Sequence, residues 1–126
     1  MRVHVGERHH TTLFALIART RNYGGDLTIA AGASLLKDSF QVVTFAGGTW
    51  RYPFYLTGAL LGHATRFPGV TNIETTRVMV RNVQPGAPVY TQVDGELFGH
   101  APATVETVPD ALTLLMPKTY LERRRK

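Results

Sequence analysis

The sequence contains no cysteine, and this absence removes several kinds of chemistry from consideration. Without thiols the chain has neither disulfides nor thiolate metal sites, and cysteine usage says nothing about its redox compartment. The five histidines show no metal-ligand spacing, so we expect no zinc site. No serine lies in a nucleophile-elbow sequence, which leaves a hydrolase without support.

Long hydrophobic runs are also missing. No apolar stretch approaches the roughly 20 residues that a membrane-spanning helix needs, and the first ten residues are mostly polar. We therefore expect a soluble, cytoplasmic protein, with peripheral attachment to a membrane kept open as an alternative.

Acidic residues are scarce relative to basic ones, with nine Asp and Glu against 14 Lys and Arg and a formal net charge of +5. Four of the basic residues fall in 123–126. A chain of 126 residues that is 44% hydrophobic predicts one folded domain, which we place at residues 1–121 with a basic tail at 122–126. Basic charge suits anionic lipid headgroups as well as nucleic acid. Because no DNA- or RNA-reading motif is present, we expect no nucleic-acid partner.

Short segments rich in β-branched and aromatic residues alternate with turn residues along most of the chain. The turns recur at intervals of about ten residues, as in β-sandwiches and barrels. We predict a mainly β, β-sandwich-like domain with one principal helix, in which Phe40, Val42 and Val43 belong to the core. The predicted strands are 3–5, 12–17, 27–31, 39–45, 71–83, 89–93, 103–108 and 112–115.

The helix is predicted at about 49–65, where apolar residues recur at spacings of three to seven. Thr49 is its candidate N-cap, and Pro53 falls in the first turn, where a missing N–H costs little. Core packing is the favoured role of the aromatic-rich start of this helix, and the alternative is an acyl-chain entrance or a contact with a membrane interface. The residues concerned are Trp50, Tyr52, Phe54, Tyr55 and Leu56.

Three segments occur in an order that resembles a known family. Residues 22–30 read Asn-Tyr-Gly-Gly-Asp-Leu-Thr-Ile-Ala, residues 40–45 read Phe-Gln-Val-Val-Thr-Phe, and residues 93–96 read Val-Asp-Gly-Glu. With the closing stretch 103–117, this order resembles the C-terminal half of the diacylglycerol kinase and sphingosine kinase family. The resemblance implies a β-sandwich domain that packs against an N-terminal α/β domain, with ATP in the cleft and a lipid substrate entering mainly from the β-rich side.

The phosphate-binding Gly-Gly-Asp-Gly-Thr loop of that family's first domain does not occur in these 126 residues. We therefore expect the N-terminal nucleotide-binding domain to be absent from this chain and to be needed as a partner in cis or in trans. ATP and Mg²⁺ are implied for the full-length enzyme, and none is expected to bind tightly to this chain alone. An uncovered interdomain surface would also favour a homo-oligomer. The alternative is a non-catalytic lipid-binding or regulatory module of the same fold.

Catalytic chemistry is predicted at 94–96, because a hydroxyl that attacks the γ-phosphate must lose its proton to a nearby base. Glu96 matches the family position given the proton-acceptor role, and Asp94 is the alternative base or an orienting group. In many proteins Asp-Gly is simply a hairpin turn, and that interpretation also stands.

Two further sites are carried by the resemblance. Tyr23, Gly24 and Gly25, with the neighbouring Arg21, are predicted to contribute to cofactor binding. The family reads Asp-Asp-Gly before its central strand, whereas this chain has Lys37 and then Asp38. A small shift would let Asp38 bind magnesium, and a solvated surface turn is the alternative. The other arginines considered for phosphates or lipid headgroups are Arg19, Arg51 and Arg66.

Overall fold

The computed structural model describes residues 1–23, 27–60 and 67–122, and its secondary structure is mainly β. A 3-10 turn at Thr49–Arg51 leads into helix α1, Tyr52–Leu60, and a short helix α2 covers Lys118–Glu122. The mainly β prediction is therefore confirmed. The strands are β1 Arg2–Val5, β2 Arg8–Thr11, β3 Phe14–Ala18, β4 Asn22–Tyr23, β5 Leu27–Thr28, β6 Phe40–Phe45, β7 Val70–Thr75, β8 Arg77–Arg81, β9 Tyr90–Val93, β10 Glu96–His100 and β11 Ala103–Glu106.

Two antiparallel sheets and two ribbons account for these strands. One sheet has the order β11-β8-β1-β2 and the other the order β3-β6-β7, while β4-β5 and β9-β10 form two-stranded ribbons. Consecutive strands are mostly joined by short turns. One of these turns is at Gly6 (φ 58°), where a two-residue loop places Arg8 opposite Val5.

Strand β6 is the centre of the molecule, because all six of its residues are buried. Successive side chains of a strand point to opposite faces. Phe40 and Val42 accordingly join the core cluster shared with the four-stranded sheet, while Val43 and Phe45 join a second cluster on the other face. The three core residues predicted from the sequence are confirmed, and the β3-β6-β7 sheet packs on both of its faces.

The second cluster is closed by the stretch after β5 and by α1. Ile29, Ala30 and Ala33 pack against it, and Tyr55 of α1 contributes its ring. Gly58 is needed in this helix because a Cβ there would lie 2.3 Å from the Phe67 ring. The close approach of that ring explains a glycine that helix propensity alone disfavours.

The predicted strand 71–83 is wrong as a single element. It breaks at Thr76, so that β7 belongs to one sheet and β8 to the other. Apolar and polar residues alternate on both sides of Thr76, because β7 and β8 each bury alternate side chains in a different sheet. At the break the Thr75 hydroxyl accepts the Arg77 N–H at 3.3 Å, and the Thr76 carbonyl accepts the Thr107 N–H at 2.8 Å.

Other boundaries also differ from the predictions. Strand β1 pairs with the polar edge strand β2, where no strand was predicted, and Thr12 is a buried residue whose hydroxyl accepts the Phe45 N–H at 3.0 Å. The strand predicted at 27–31 is regular only over two residues, and 112–115 forms no strand, with Leu112 and Leu115 exposed. The helix prediction is confirmed as far as Leu60. Its continuation to residue 65 and the capping role of the Thr49 side chain lie outside what the structure describes.

Candidate functional site

The predicted catalytic segment is the turn of the β9–β10 hairpin. Val93 and Glu96 are paired across the two strands, and Asp94 and Gly95 form the two-residue loop between them. Both loop residues have positive φ, 50° at Asp94 and 91° at Gly95. Aspartate and glycine tolerate this conformation better than other residues, which is why Asp-Gly favours a two-residue hairpin. The hairpin itself is confirmed.

Both carboxylates at this turn are exposed. Among the described residues, neither Asp94 nor Glu96 accepts a hydrogen bond or forms an ion pair. Their oxygens are therefore open to a hydroxyl or a cation brought from outside the described part of the chain. A carboxylate held in this way can accept a proton in the reaction of a bound alcohol.

The strands of the β9–β10 hairpin expose apolar side chains, and the base of the hairpin packs against the core. Tyr90, Leu97 and Phe98 are 67%, 67% and 78% exposed. At its root, the Ala101 N–H donates to the Val89 carbonyl at 2.8 Å, and Ala101 is a member of the cluster around β1 and β8. The hairpin thus presents an acidic tip beside exposed apolar side chains, an arrangement that suits contact with another surface.

A cavity of about 340 Å³ lies at the root of the same hairpin. Leu13 lines it from one side, and Val83 and Val89 line it from the segment that leads into β9. Its apolar lining and its position beneath the hairpin suit the hydrocarbon part of a ligand rather than a phosphate.

The predicted cofactor-binding turn is described only at its edges. Tyr23 ends β4 with 45% of its surface exposed, and Arg21 is exposed one residue before that strand. The Arg21 carbonyl accepts the N–H groups of Ile29 and Ala30 at 3.1 and 3.2 Å, so its backbone closes the ribbon. The other two predicted residues of this turn, Gly24 and Gly25, lie outside the described residues.

The predicted magnesium turn is occupied by a salt bridge. The Lys37 ammonium lies 2.5 Å from Glu74 Oε2, and Ser39 and Gln41 donate to the same carboxylate at 2.6 and 3.2 Å. Asp38 is exposed beside this network. No group of three or more His, Asp or Glu side chains suited to a metal occurs among the described residues. The residues around Asp38 therefore do not fit a magnesium ion, because Lys37 already supplies the positive charge, and the metal role of Asp38 stays a prediction without geometric support.

The family assignment follows from a comparison with models of protein families. The model of the YegS C-terminal NAD kinase beta sandwich-like domain matches residues 1–116. The chain belongs to this family. The match includes residues 22–30, 40–45 and 93–96 and all but the last residue of 103–117, and it assigns the chain to the β-sandwich-like C-terminal part of YegS-type kinases. No curated protein matches the chain.

Within this YegS-type domain, the predicted site residues lie on three separate elements. Asp94 and Glu96 lie on the β9–β10 hairpin, Arg21 and Tyr23 on the β4–β5 ribbon, and Asp38 before β6. No hydrogen bond or ion pair between described residues joins one of these places to another. Any site that uses all three needs a ligand or a second domain to connect them.

Two residues of the YegS-type domain have roles that the sequence analysis missed. The Glu74 carboxylate pairs with Lys37 and accepts hydrogen bonds from Ser39 and Gln41. Glu74 lies opposite Gln41 in the register, and its only sequence signal was a charged residue within a β-branched segment. Arg19 was considered for phosphate contacts, but its guanidinium donates to the carbonyls of Leu35 and Lys37 and so braces that turn. Among the described residues, no helix is both long and apolar enough to cross a membrane.

Proposed function

We propose that this chain is the substrate-side domain of an ATP-dependent lipid kinase that phosphorylates a lipid hydroxyl of the diacylglycerol or sphingoid type. The observation that carries the proposal is the Asp94-Gly95-Glu96 turn, whose two exposed carboxylates have no partner among the described residues. Membership of a YegS-type kinase family supports phosphoryl transfer as the reaction class.

The proposed reaction is attack of the lipid hydroxyl oxygen on the γ-phosphorus of ATP. The new O–P bond forms as the bond to the ADP oxygen breaks, and the hydroxyl proton passes to the Glu96 carboxylate. Such transfers depend mainly on positioning and electrostatics, and a general base contributes about 10²–10⁴-fold. ATP, with its accompanying Mg²⁺, belongs to a nucleotide-binding domain that docks in cis or in trans, and no residue of this chain is assigned to the metal.

The lipid part of the substrate is assigned to the apolar surfaces of the hairpin. The exposed side chains of Leu97 and Phe98 offer apolar contact close to the carboxylates, and the cavity of about 340 Å³ lies at the other end of the hairpin, at its root. A hydrocarbon chain that runs from the cavity along Leu97 and Phe98 would leave its hydroxyl end near the polar tip of the hairpin.

The decisive experiment is Glu96→Gln in a protein where this chain is joined to a nucleotide-binding domain of the family. The amide keeps the shape and one acceptor oxygen but cannot take the proton. We expect the rate of lipid phosphorylation to fall by about 10²–10⁴-fold, while lipid and ATP affinities change little. The measurement is steady-state transfer of phosphate to lipid, with substrate affinities determined separately.

The matched control is Asp94→Asn, which removes a charge at the neighbouring position. Asparagine tolerates the positive φ of Asp94, so the turn should persist and activity should stay within about tenfold of the original. If the two variants exchange severity, Asp94 is the base. If both keep more than about half the activity, the turn is only structural and the proposal is wrong.

The second candidate function is a non-catalytic lipid-binding or regulatory module, and the Lys37–Glu74 salt bridge is the observation that favours it. The resembling kinases have an acidic residue at the position of Lys37. The lysine therefore favours a chain in which this turn no longer binds magnesium. The joined protein separates the two candidates, because a binding module would retain the lipid and transfer no phosphate to it.

A further inference from the structure

Helix α1 and the 3-10 turn before it expose large apolar side chains. The Tyr55 ring and Gly58 are buried against the body of the domain. Trp50 of the turn and Phe54 and Leu60 of the helix are 67%, 58% and 65% exposed. A surface helix normally places polar residues toward water, so this exposed apolar surface indicates a contact that the chain alone does not supply.

The one exposed hydroxyl described on α1 is already satisfied. Thr57 donates its hydroxyl hydrogen to the carbonyl of Pro53 at 2.8 Å. Bonding of this kind, back to the preceding turn, leaves no free donor that would resist removal from water. The exposed surface formed by Trp50, Phe54 and Leu60, here called the α1 face, therefore has no described hydroxyl that removal from water would leave unpaired.

The charged residues that neighbour the α1 face in the sequence have one sign. Residues 39–73 contain no aspartate or glutamate. The Arg51 guanidinium lies over the Trp50 ring, 5.1 Å from its centroid, and the ring of Phe54 meets Trp50 edge-on at 6.3 Å. Tryptophan beside a cation is typical of segments that lie at the boundary between lipid headgroups and acyl chains, where the ring enters and the cation meets phosphate.

The other prominent apolar surface, on the β9–β10 hairpin, has the opposite character. Leu97 and Phe98 are as exposed as the α1 face, but Asp94 and Glu96 lie at the same end of the hairpin. Those carboxylates would be repelled by an anionic surface. The two surfaces are therefore suited to different partners.

We propose that the α1 face docks on an anionic lipid surface, with Trp50 and Phe54 in the interface and Arg51 at the level of the phosphates. This inference goes beyond the proposed kinase function and does not depend on it, because no residue of the turn at 94–96 takes part. The helix lies flat on the bilayer in this arrangement, as its length of nine residues requires.

Trp50 makes the test direct because it is the only tryptophan of the chain. The purified chain is titrated with vesicles of phosphatidylcholine alone or mixed with phosphatidylglycerol. With the anionic vesicles we expect a blue shift of the emission and quenching by brominated acyl chains. Phosphatidylcholine alone should give much weaker binding, and added salt should weaken the binding to the mixed vesicles. Unchanged emission with anionic vesicles would overturn the proposal.

A pair of double variants assigns the contact to one surface. Phe54→Ser with Leu60→Ser keeps Trp50 and should weaken co-sedimentation with anionic vesicles by about tenfold or more. Leu112→Ser with Leu115→Ser removes similar exposed apolar surface from the C-terminal segment, which has no assigned binding role, and should leave vesicle binding unchanged. Equal loss in both, or loss in the variant of Leu112 and Leu115 alone, contradicts the proposal. Circular dichroism confirms beforehand that each variant is folded.

Two further measurements test the charge of Arg51 and distinguish lipid docking from self-association. Arg51→Gln should weaken binding about fivefold, whereas Arg51→Lys, which keeps the charge, should restore it.

If Trp50 emission shifts with protein concentration without lipid, and light scattering shows a dimer that Phe54→Ser with Leu60→Ser abolishes, the face binds a second copy and the proposal fails. Glu96→Gln should bind vesicles like the original chain, so loss of kinase activity and loss of docking are distinguishable.

Discussion

His4 lies among positive groups on the β1–β2–β8 surface. Its ring centroid is 6.1 Å from that of His9, its partner on β2. Partial removal from water, followed by the charges of Arg81, His9 and Arg2, lowers the pKa of His4 below its usual 6.5. At pH values above 6.5 the His4 side chain is mostly neutral in both the folded and the unfolded state. As the pH falls below it, the unfolded chain takes up the proton first, so the folded state loses stability.

We therefore expect the melting temperature to fall between about pH 7 and about pH 5, and His4→Gln to flatten that dependence. The check is a thermal unfolding series across this range for both proteins. His100→Gln, at the end of strand β10, serves as the control. An identical pH profile in the His4 variant and the original would show that His4 does not set it.

Lys37 offers a second test at the scale of one residue. Its ammonium, 2.5 Å from Glu74 Oε2, supplies the positive charge of the turn before β6. We expect Mg²⁺ at about 10 mM to leave the melting temperature of the original chain unchanged, since a ligand stabilises only by binding the folded state. Lys37→Asp places a new carboxylate beside Asp38 and Glu74, and Mg²⁺ should then raise the melting temperature. A rise in the original chain would contradict this account.

At the scale of the element, Tyr55 attaches α1 to the β3-β6-β7 sheet. Its ring packs on Phe45 with centroids 5.4 Å apart, and its hydroxyl donates to the Ala46 carbonyl at 2.8 Å and lies 3.2 Å from the Pro68 carbonyl. Tyr55→Phe should lower the free energy of unfolding by about 1 kcal/mol through the lost hydrogen bond. Tyr55→Ala should lower it by about 3–5 kcal/mol through the cavity left behind.

Urea unfolding of the two Tyr55 variants measures these losses. Thr57→Ala is the control, because its hydroxyl bonds only within the helix and its side chain is exposed. Its effect should stay within about 0.5 kcal/mol. If Tyr55→Phe costs as much as Tyr55→Ala, the hydroxyl rather than ring packing holds the helix.

At the scale of the whole molecule, β6 makes the two core clusters one cooperative unit. Val42 belongs to the cluster of the four-stranded sheet and Val43 to the cluster beneath α1, yet they are adjacent in one strand. Neither cluster can come apart without losing the strand that the other requires. We expect Val42→Ala and Val43→Ala each to cost about 2 kcal/mol and to lower a single shared transition.

Two probes distinguish a single transition from separate ones. Trp50 fluorescence reports on the α1 side, and far-ultraviolet circular dichroism reports on all the strands. The two unfolding curves should coincide in the original chain and in both valine variants. If Trp50 fluorescence changed at a lower temperature in Val43→Ala alone, the two clusters would unfold independently.

The sequence by itself determined the features that depend on local chemistry. Strand β6 could be predicted from its run of β-branched and aromatic residues, α1 from its apolar spacing, and the hairpin from Asp94-Gly95, whose residues tolerate positive φ. The ordered segments also gave the kinase-type family, which the match over residues 1–116 confirms. The signals for β6, α1 and the hairpin each lie within a few residues of chain, whereas the family signal is the order of segments along it.

The tertiary structure decided what depends on distant partners. The break at Thr76 arises because β7 and β8 pair with different sheets, and β2 forms from polar residues because β1 supplies its hydrogen bonds. For the candidate site, the sequence supplied the residues but not their surroundings. Only the fold brings Lys37 to Glu74 and leaves Trp50 exposed, because pairing and burial are set by which surfaces meet, and local propensity carries no information about that.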